Sequence, residues 1–347
     1  GGGKYSEAVC SLLANELGAA GVILTTSCTD ALELASLLIG TGPGDVVIVP
    51  SFTFVSTALA FTRSGATIRF ADIDPITLGI SADTVVPLID EKVRVIVPVH
   101  YAGVGVEIEP LLDLASTHGI DIVEDNAHGL FGTYMDKQLG TFGRLSTLSF
   151  HETKNFSCGE GGALVLNSVA DIERANILCD KGTNRQAFLS GMTEQYTWID
   201  DGSSFRLSDL LAAFLLGQLE HRADILNQRH KVTKTYQALL EPRYEELGYQ
   251  CMSVPEGRNS SWHMYYVLLA SQSERDHVLA EMTTNGVQAT FHYVPLHSSP
   301  AGRAATDRSS NCHVTDDISG RLLRLPFFTS MTTSQVERVV EELHRAL

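Results

Sequence analysis

Short apolar runs alternate with stretches of helical periodicity over the first two thirds of the chain. The runs are Val22–Leu24, Val46–Val49, Ile68–Phe70, Val93–Val99, Ile120–Val123, Leu145–Phe150 and Ala163–Leu166. Periodic segments such as Ala31–Leu38 and Pro110–Thr117 lie between several of them. Runs with little polar alternation are strands buried on both faces. Their rhythm with helices predicts an α/β protein with a mostly parallel seven-stranded sheet flanked by helices. In such sheets ligands collect at the carboxyl ends of the strands, so chemistry is sought in the loops that follow each run. Arg206–Gln228 reads as one long helix or two, followed by charged helical sequence to about Glu246. Strand signals return at Met264–Leu269 and Val287–Tyr293. A closing helix is predicted over Thr333–Leu347, with Thr332-Thr333-Ser334 as N-cap candidates. The simplest division is a large α/β domain, residues 1–227, and a smaller C-terminal α/β domain, residues 228–347.

Length supports that division, because 347 residues exceed what one simple core needs. Charge bears on partners. The net charge of −16, from 41 acidic and 25 basic residues, repels phosphate backbones and argues against nucleic acid. A phosphorylated small molecule stays open, because a few local donors outweigh a diffuse field. The six cysteines (Cys10, Cys28, Cys158, Cys179, Cys251 and Cys312) show no C-x-x-C pair and no metal-ligand spacing, and they read as reduced thiols of a cytoplasmic protein. His100, His118 and His263 share no ligand spacing either and read as structural or surface residues, so no metal is expected. The longest apolar stretch, around Leu210–Leu216, is too short to cross a bilayer. The opening Gly1-Gly2-Gly3-Lys4-Tyr5-Ser6 is not patterned as a signal peptide.

Three segments carry candidate chemistry. Thr26-Ser27-Cys28-Thr29 follows a strand and opens a helix, where free N–H groups and hydroxyls suit a phosphate; taken alone, an ordinary N-cap is the plainer reading. Asp125, in Val123-Glu124-Asp125-Asn126-Ala127-His128, sits just past the end of an apolar run. A carboxylate there can keep a pyridinium nitrogen protonated, although a single acidic residue after a strand is more often a turn residue. Lys154, in Ser149-Phe150-His151-Glu152-Thr153-Lys154-Asn155, precedes the glycine-rich turn Gly159-Glu160-Gly161-Gly162-Ala163. A desolvated lysine there can form a Schiff base with a carbonyl, whereas a lysine in a loop is usually a solvated charge. The order of the three segments changes those odds.

Phosphate loop, aspartate and then lysine resemble fold-type I pyridoxal-phosphate (PLP) enzymes, and more narrowly the DegT/StrS-type nucleotide-sugar aminotransferases. The resemblance extends through Pro50–Ala58, Pro98–Gly103 and His292-Tyr293-Val294-Pro295-Leu296-His297, over almost the whole chain. Phe150–Asn155, Lys181–Arg185 and Gly202–Phe205 resemble one subgroup, the dTDP-4-amino-4,6-dideoxygalactose transaminases.

The resemblance implies roles. Lys154 would carry the cofactor and Asp125 would hold its ring nitrogen. Phe54 would stack on the ring, while Cys28, Thr29 and Ser149 would bind the phosphate. His128 stands where many relatives have Gln, and either side chain can donate toward the ring hydroxyl. Ser204 stands where many relatives have an Asn that reaches the partner subunit's phosphate. His292, Tyr293 and His297 are candidates for lining the substrate cleft, and Glu152 and Asn184-Arg185 for contacting substrate or a partner subunit. The resemblance also implies a homodimer with shared active sites and a further N-terminal segment ahead of Gly1–Ser6.

The reaction implied moves an amino group from L-glutamate to a dTDP-4-keto-6-deoxyhexose, with pyridoxamine phosphate as the second cofactor form. A 3-keto or other nucleotide sugar stays open as the substrate. A PLP-dependent sugar dehydratase is disfavoured, because relatives of that type replace the lysine by histidine. A non-catalytic binding protein on the same scaffold is disfavoured because Lys154 and Asp125 are both intact. No G-x-G-x-x-G follows the first run, which argues against a dinucleotide-binding enzyme.

Overall fold

The seven apolar runs form one sheet in the computed structural model, which describes residues 2–347; Gly1 lies outside the described residues. The strands are β1 (Gly21–Thr25), β2 (Val46–Pro50), β3 (Thr67–Ala71), β4 (Val93–Ile96), β5 (Asp121–Asp125), β6 (Leu145–Ser149) and β7 (Gly162–Leu166). Their spatial order is β1-β7-β6-β5-β4-β2-β3. Only β7 runs against its two neighbours, and all other pairs are parallel. The fold is therefore α/β with a mostly parallel seven-stranded sheet, as the apolar runs predict.

Regular pairing of β4 ends at Ile96, short of the expected Val99. Pro98 has no N–H to give the ladder. Val99 rejoins the sheet through an isolated bridge to Asp125.

Side chains alternate across the sheet, as strand geometry requires. Val22, Leu24, Ala163 and Val165 pack with Val9 and Leu13 of α1 (Lys4–Leu17). Ile23, Val47, Val49 and Leu164 face the other way, onto Leu34, Ala35 and Leu38 of α2 (Cys28–Ile39). The short helix α3 (Ser56–Thr62) follows β2. Val46, Ile48, Ile96 and Ile122 pack with Ile108 and Leu111 of α4 (Ile108–His118). Burying both faces in this way supplies roughly 1.5–3 kcal/mol for each large apolar side chain removed from water.

The stretch read as one helix or two is two. They are α5 (Asp209–Glu220) and α6 (Arg222–Leu240), with His221 between them outside helical geometry (φ −97°, ψ 17°). Helix α6 continues through the expected boundary at 227/228.

A second, antiparallel sheet follows. It comprises β8 (Gln250–Cys251), β9 (Tyr265–Leu268), β10 (Thr290–Phe291) and β11 (Leu322–Leu325), in the order β8-β9-β11-β10. Strand β10 is shorter than the apolar run Val287–Tyr293 suggests: His292 and Tyr293 leave the ladder and line a cavity. The closing helix α7 (Thr333–Ala346) starts at Thr332, whose side chain accepts from Gln335 N–H while the Gln335 side chain accepts from Thr332 N–H. Its Val336, Val340 and Leu343 join Tyr265, Val267 and Leu323 in a core that also takes in Phe52 and Tyr101 from the first half of the chain. Among the described residues no helix is long and apolar enough to cross a membrane.

Candidate active site

The carboxyl ends of β5 and β6, the start of α2 and the edge of the second sheet surround a cavity of about 390 Å³. Helix α2 begins directly after β1. Ser27 caps it, accepting from Asp30 N–H at 3.0 Å, so the first-turn N–H groups of Cys28 and Thr29 have no acceptor within the helix. These groups and the Thr29 hydroxyl, which is 2.7 Å from Ser56 Oγ, line the cavity. Gly162 permits the approach: a Cβ there would stand 2.4 Å from Cys28 N, so any side chain would push the helix start off β7. Burial, then Asp125, push the Cys28 thiol up to about 12, which keeps it neutral.

Asp125 ends β5, and its side chain is buried in the cavity wall. Thr57 donates to its Oδ2 at 2.7 Å, and Ala127 N–H donates to its Oδ1 at 3.2 Å. Thr57 in turn lies 2.8 Å from Thr53 Oγ1. A carboxylate only accepts, so the protons run Thr53 to Thr57 to Asp125. Burial raises the Asp125 pKa, and these donors oppose that rise.

The neighbouring Glu124 faces the other way and fixes the strand end. It takes N–H groups from Gly140, Phe142 and Gly143 and pairs with His100 Nε2 at 2.9 Å. Desolvation acts most strongly and upward, yet His100 and the backbone donors together hold Glu124 below its usual range. His100 therefore has a structural role here.

Lys154 follows β6 in a turn, with its N–H on His151 O at 2.9 Å. Its amine faces the same cavity as Asp125. Desolvation lowers its pKa to about 8, and Cys28 and Asp125 counter that only in part. Near neutral pH a useful share of the amine is therefore uncharged and nucleophilic. Ser149 and Phe54 also line the cavity, and Phe54 leaves 58% of its surface uncovered.

His128 lies in the wall, stacked on His263 with ring centroids 4.3 Å apart. Burial, then Lys154, His292 and Arg324, keep it well below the ordinary imidazole range. Its Nδ1 is buried without a hydrogen-bond partner. His263 holds its own Nδ1–H on Asn155 Oδ1 at 2.9 Å, and the Asn155 amide donates to Ser261 O at 2.7 Å. His292 and Tyr293 reach the cavity from the end of β10, with their rings stacked at 4.1 Å.

Nine of the residues expected at the site thus meet in one place. Two do not. His297 lies outside the cavity, with its Nδ1 2.6 Å from Ser51 Oγ and its Nε2 3.6 Å from Asp316. It braces the segment after β10 against the end of β2 rather than facing a ligand. Ser204 is exposed, in a stretch bridged to Asp180. Glu152, Asn184 and Arg185 also lie outside the lining. Thr57, His263, Glu160 and Arg324 line it and were not expected to.

An aldehyde cofactor with a phosphate and a basic ring nitrogen fits what is present. The helix start offers free N–H groups, Asp125 is preset as an acceptor, His128 Nδ1 has no partner, and Lys154 has a depressed pKa.

Comparison with known proteins gives the family. The profile of the DegT/DnrJ/EryC1/StrS aminotransferase family matches residues 2–344. The spore coat polysaccharide biosynthesis protein SpsC of Bacillus subtilis (strain 168) is 30% identical over 334 residues, which is 94% of this chain and 85% of that protein. The aminotransferase TlmJ from Streptoalloteichus hindustanus superposes with a TM-score of 0.91 at 28% identity, covering 100% of this chain and 91% of its own. A DegT DnrJ EryC1 StrS aminotransferase from Brucella abortus gives 0.89 at 25% identity, covering 99% and 90%. With the family's match running nearly end to end, and the cavity offering a lysine and an aspartate at adjacent strand ends, this chain belongs to the DegT/DnrJ/EryC1/StrS aminotransferase family.

Proposed function

We propose that the protein is a PLP-dependent aminotransferase that moves the amino group of L-glutamate onto the keto carbon of a dTDP-4-keto-6-deoxyhexose. The observation that carries the cofactor reading is the pairing of a lysine of depressed pKa with a threonine-buttressed aspartate in one cavity. Bound PLP supplies an electron sink, which lets the α-hydrogen of an amino acid leave as a proton. Lys154 holds the cofactor when no substrate amine does. Once displaced, its Nζ takes the proton from the donor α-carbon, and it returns one to the keto carbon of the sugar in the second half. Asp125, kept as an acceptor by Thr57, holds the ring nitrogen. Cys28, Thr29 and Ser149 hold the phosphate, and Phe54 covers the ring. His128, whose Nδ1 is unengaged, faces the ring hydroxyl. Ser204 contacts the phosphate held by a partner subunit. His292 and Tyr293 border the substrate.

The sugar class rests on the subgroup strings around Lys154, Asn184 and Ser204, and on the relative named for polysaccharide biosynthesis. A nucleotide sugar with the keto group at another carbon is the alternative.

We place the reaction in the cytoplasm, in keeping with six unpaired cysteines. The division into residues 1–227 and 228–347, bridged by α6, belongs to the same proposal. A homodimer is proposed as well. Leu189, Met192, Trp198, Ile199, Leu210 and Phe214 are large apolar side chains that are all more than half exposed, and Trp198 leaves 74% of its surface uncovered. Covering such side chains in a subunit contact would remove apolar surface from water. A sedimenting species of one 37.7 kDa chain would exclude the dimer.

The test of function is incubation of the PLP-loaded protein with L-glutamate and dTDP-4-keto-6-deoxyglucose. The expected products are 2-oxoglutarate and an amino sugar nucleotide in equal amounts. Formation of 2-oxoglutarate with another keto sugar but not this one rejects the substrate and keeps the activity. No 2-oxoglutarate with any keto sugar rejects both.

A further inference from the structure

We propose that His263 is a positioning residue for the cofactor site: it is the platform that aims the His128 ring, and Asn155 holds that platform in place. The inference rests on the reading of His128 given above.

His128 differs from the histidines around it. His292 sits between Tyr101 and Arg324, His297 bonds Ser51, and His100 bonds Glu124 while accepting from Val106 N–H. Among the described residues no hydrogen bond holds the His128 ring, and its Nδ1 is buried without a partner. Ring contacts therefore set its direction. Two are present: the face of His263, with centroids 4.3 Å apart and planes 23° from parallel, and the edge of Tyr101 at 5.8 Å. An imidazole without such contacts turns about its side-chain bonds. A ligand that needs one orientation must then arrest that motion on binding, at a cost in affinity.

His263 is fixed where His128 is not. The Asn155 amide is committed to Ser261 O, so its Oδ1 is the end left for the His263 Nδ1–H. Asn155 directly follows Lys154, so the turn that presents the amine also seats the platform. The main chain is clamped as well. Arg229 of α6 donates from Nε to Trp262 O at 2.8 Å and from Nη2 to His263 O at 2.5 Å. Trp262 has φ 56°, a left-handed conformation that a bulky residue keeps only when its surroundings impose it. The strain thus sits immediately before His263, where Arg229 holds both carbonyls. The same segment grips the backbone beneath the other ring. Ser261 Oγ donates to His128 O, and Gly103, at φ 80°, leaves room for it, since a Cβ there would collide with that Oγ. Residues 261–263 therefore hold His128 by its carbonyl and by its ring.

The platform is also uncharged. An amide, unlike a carboxylate, accepts the Nδ1 proton without stabilising an imidazolium. Burial, then His128 and Lys154, keep His263 well below the ordinary imidazole range. His128 can then donate toward a ring hydroxyl with no cation stacked against it.

The test titrates the cofactor-free protein with PLP and with 3-deoxypyridoxal phosphate. The second keeps the aldehyde, ring nitrogen and phosphate and lacks only the ring hydroxyl. The readout is the ratio of the two affinities in wild type, His263→Ala, His263→Phe, Asn155→Leu and His128→Ala. If His263 aims His128, His263→Ala and Asn155→Leu lower the ratio by about threefold to tenfold, the worth of one hydrogen bond, while affinity for the deoxy compound stays at the wild-type level. His263→Phe keeps a flat uncharged ring and should retain most of the ratio. An unchanged ratio in His263→Ala or in Asn155→Leu overturns the proposal. So does an equal loss of both affinities, which marks a purely structural role. A ratio in His263→Phe as low as in His263→Ala overturns the platform in favour of a direct bond from His263 to the ligand. A wild-type ratio in His128→Ala sinks the reading of His128 itself, and this inference with it.

Discussion

Individual side chains divide by how far apart in sequence their partners lie. Lys154 and Asp125 were legible because each follows its own apolar run, and because the stretch around each is a short local pattern. His263 and Arg324 were not. One precedes a strand and the other sits inside Leu322-Leu323-Arg324-Leu325, and both reach the cavity only when the second sheet docks on the first. A charged residue in the middle of an apolar strand was the available signal, since burying it needs a partner and none is nearby in sequence. His297 misled for the converse reason. It shares a motif with His292 and Tyr293, but the chain turns after them, and it bonds Ser51 instead. The depressed pKa of Lys154 gives a prediction at this scale. With a pKa near 8, the uncharged amine of the cofactor-free protein rises about tenfold per pH unit below that value and saturates above it. The rate at which apoprotein captures PLP should follow the same curve between pH 6 and 9. A rate that keeps climbing toward pH 10 would show an ordinary lysine.

At the level of elements, buried strands proved the most readable feature, because an apolar run without alternation leaves little choice but a doubly covered sheet. All seven appear, yet the reversed direction of β7 could not be read. Direction depends on which neighbours a strand meets, and nothing local in Gly162–Leu166 records it. Strand ends depart from the apolar runs where backbone chemistry intervenes, as at Pro98. No glycine or proline marks His221, so the sequence alone does not separate α5 from α6. The junction of β7 with α2 is where an element most directly serves the site. Gly162→Ala would place a methyl 2.4 Å from Cys28 N. Backbone cannot yield cheaply at such a contact, so we expect about 2–4 kcal/mol lower stability and weaker phosphate retention. Chemical denaturation and a PLP titration would measure the two effects. Unchanged values for both would mean that the helix start is not held by β7.

For the whole molecule, the sheet brings loops distant in sequence to one edge, and the second sheet closes that edge over them. The shared core of Phe52 and Tyr101 with Tyr265 and Leu323 ties the two sheets together, so the cavity wall is assembled from both. Composition foretold none of this, and the acidic net charge only narrowed the class of partners. We propose Lys154 as the residue that carries PLP. Its most direct test is borohydride reduction of the PLP-loaded protein, followed by proteolysis and peptide mass analysis. The expected result is one phosphopyridoxyl group per chain, on the peptide containing Phe150–Asn155 at Lys154, and a Lys154→Ala protein that folds but neither takes the label nor turns over. A label on any other lysine, or full activity in Lys154→Ala, would contradict it.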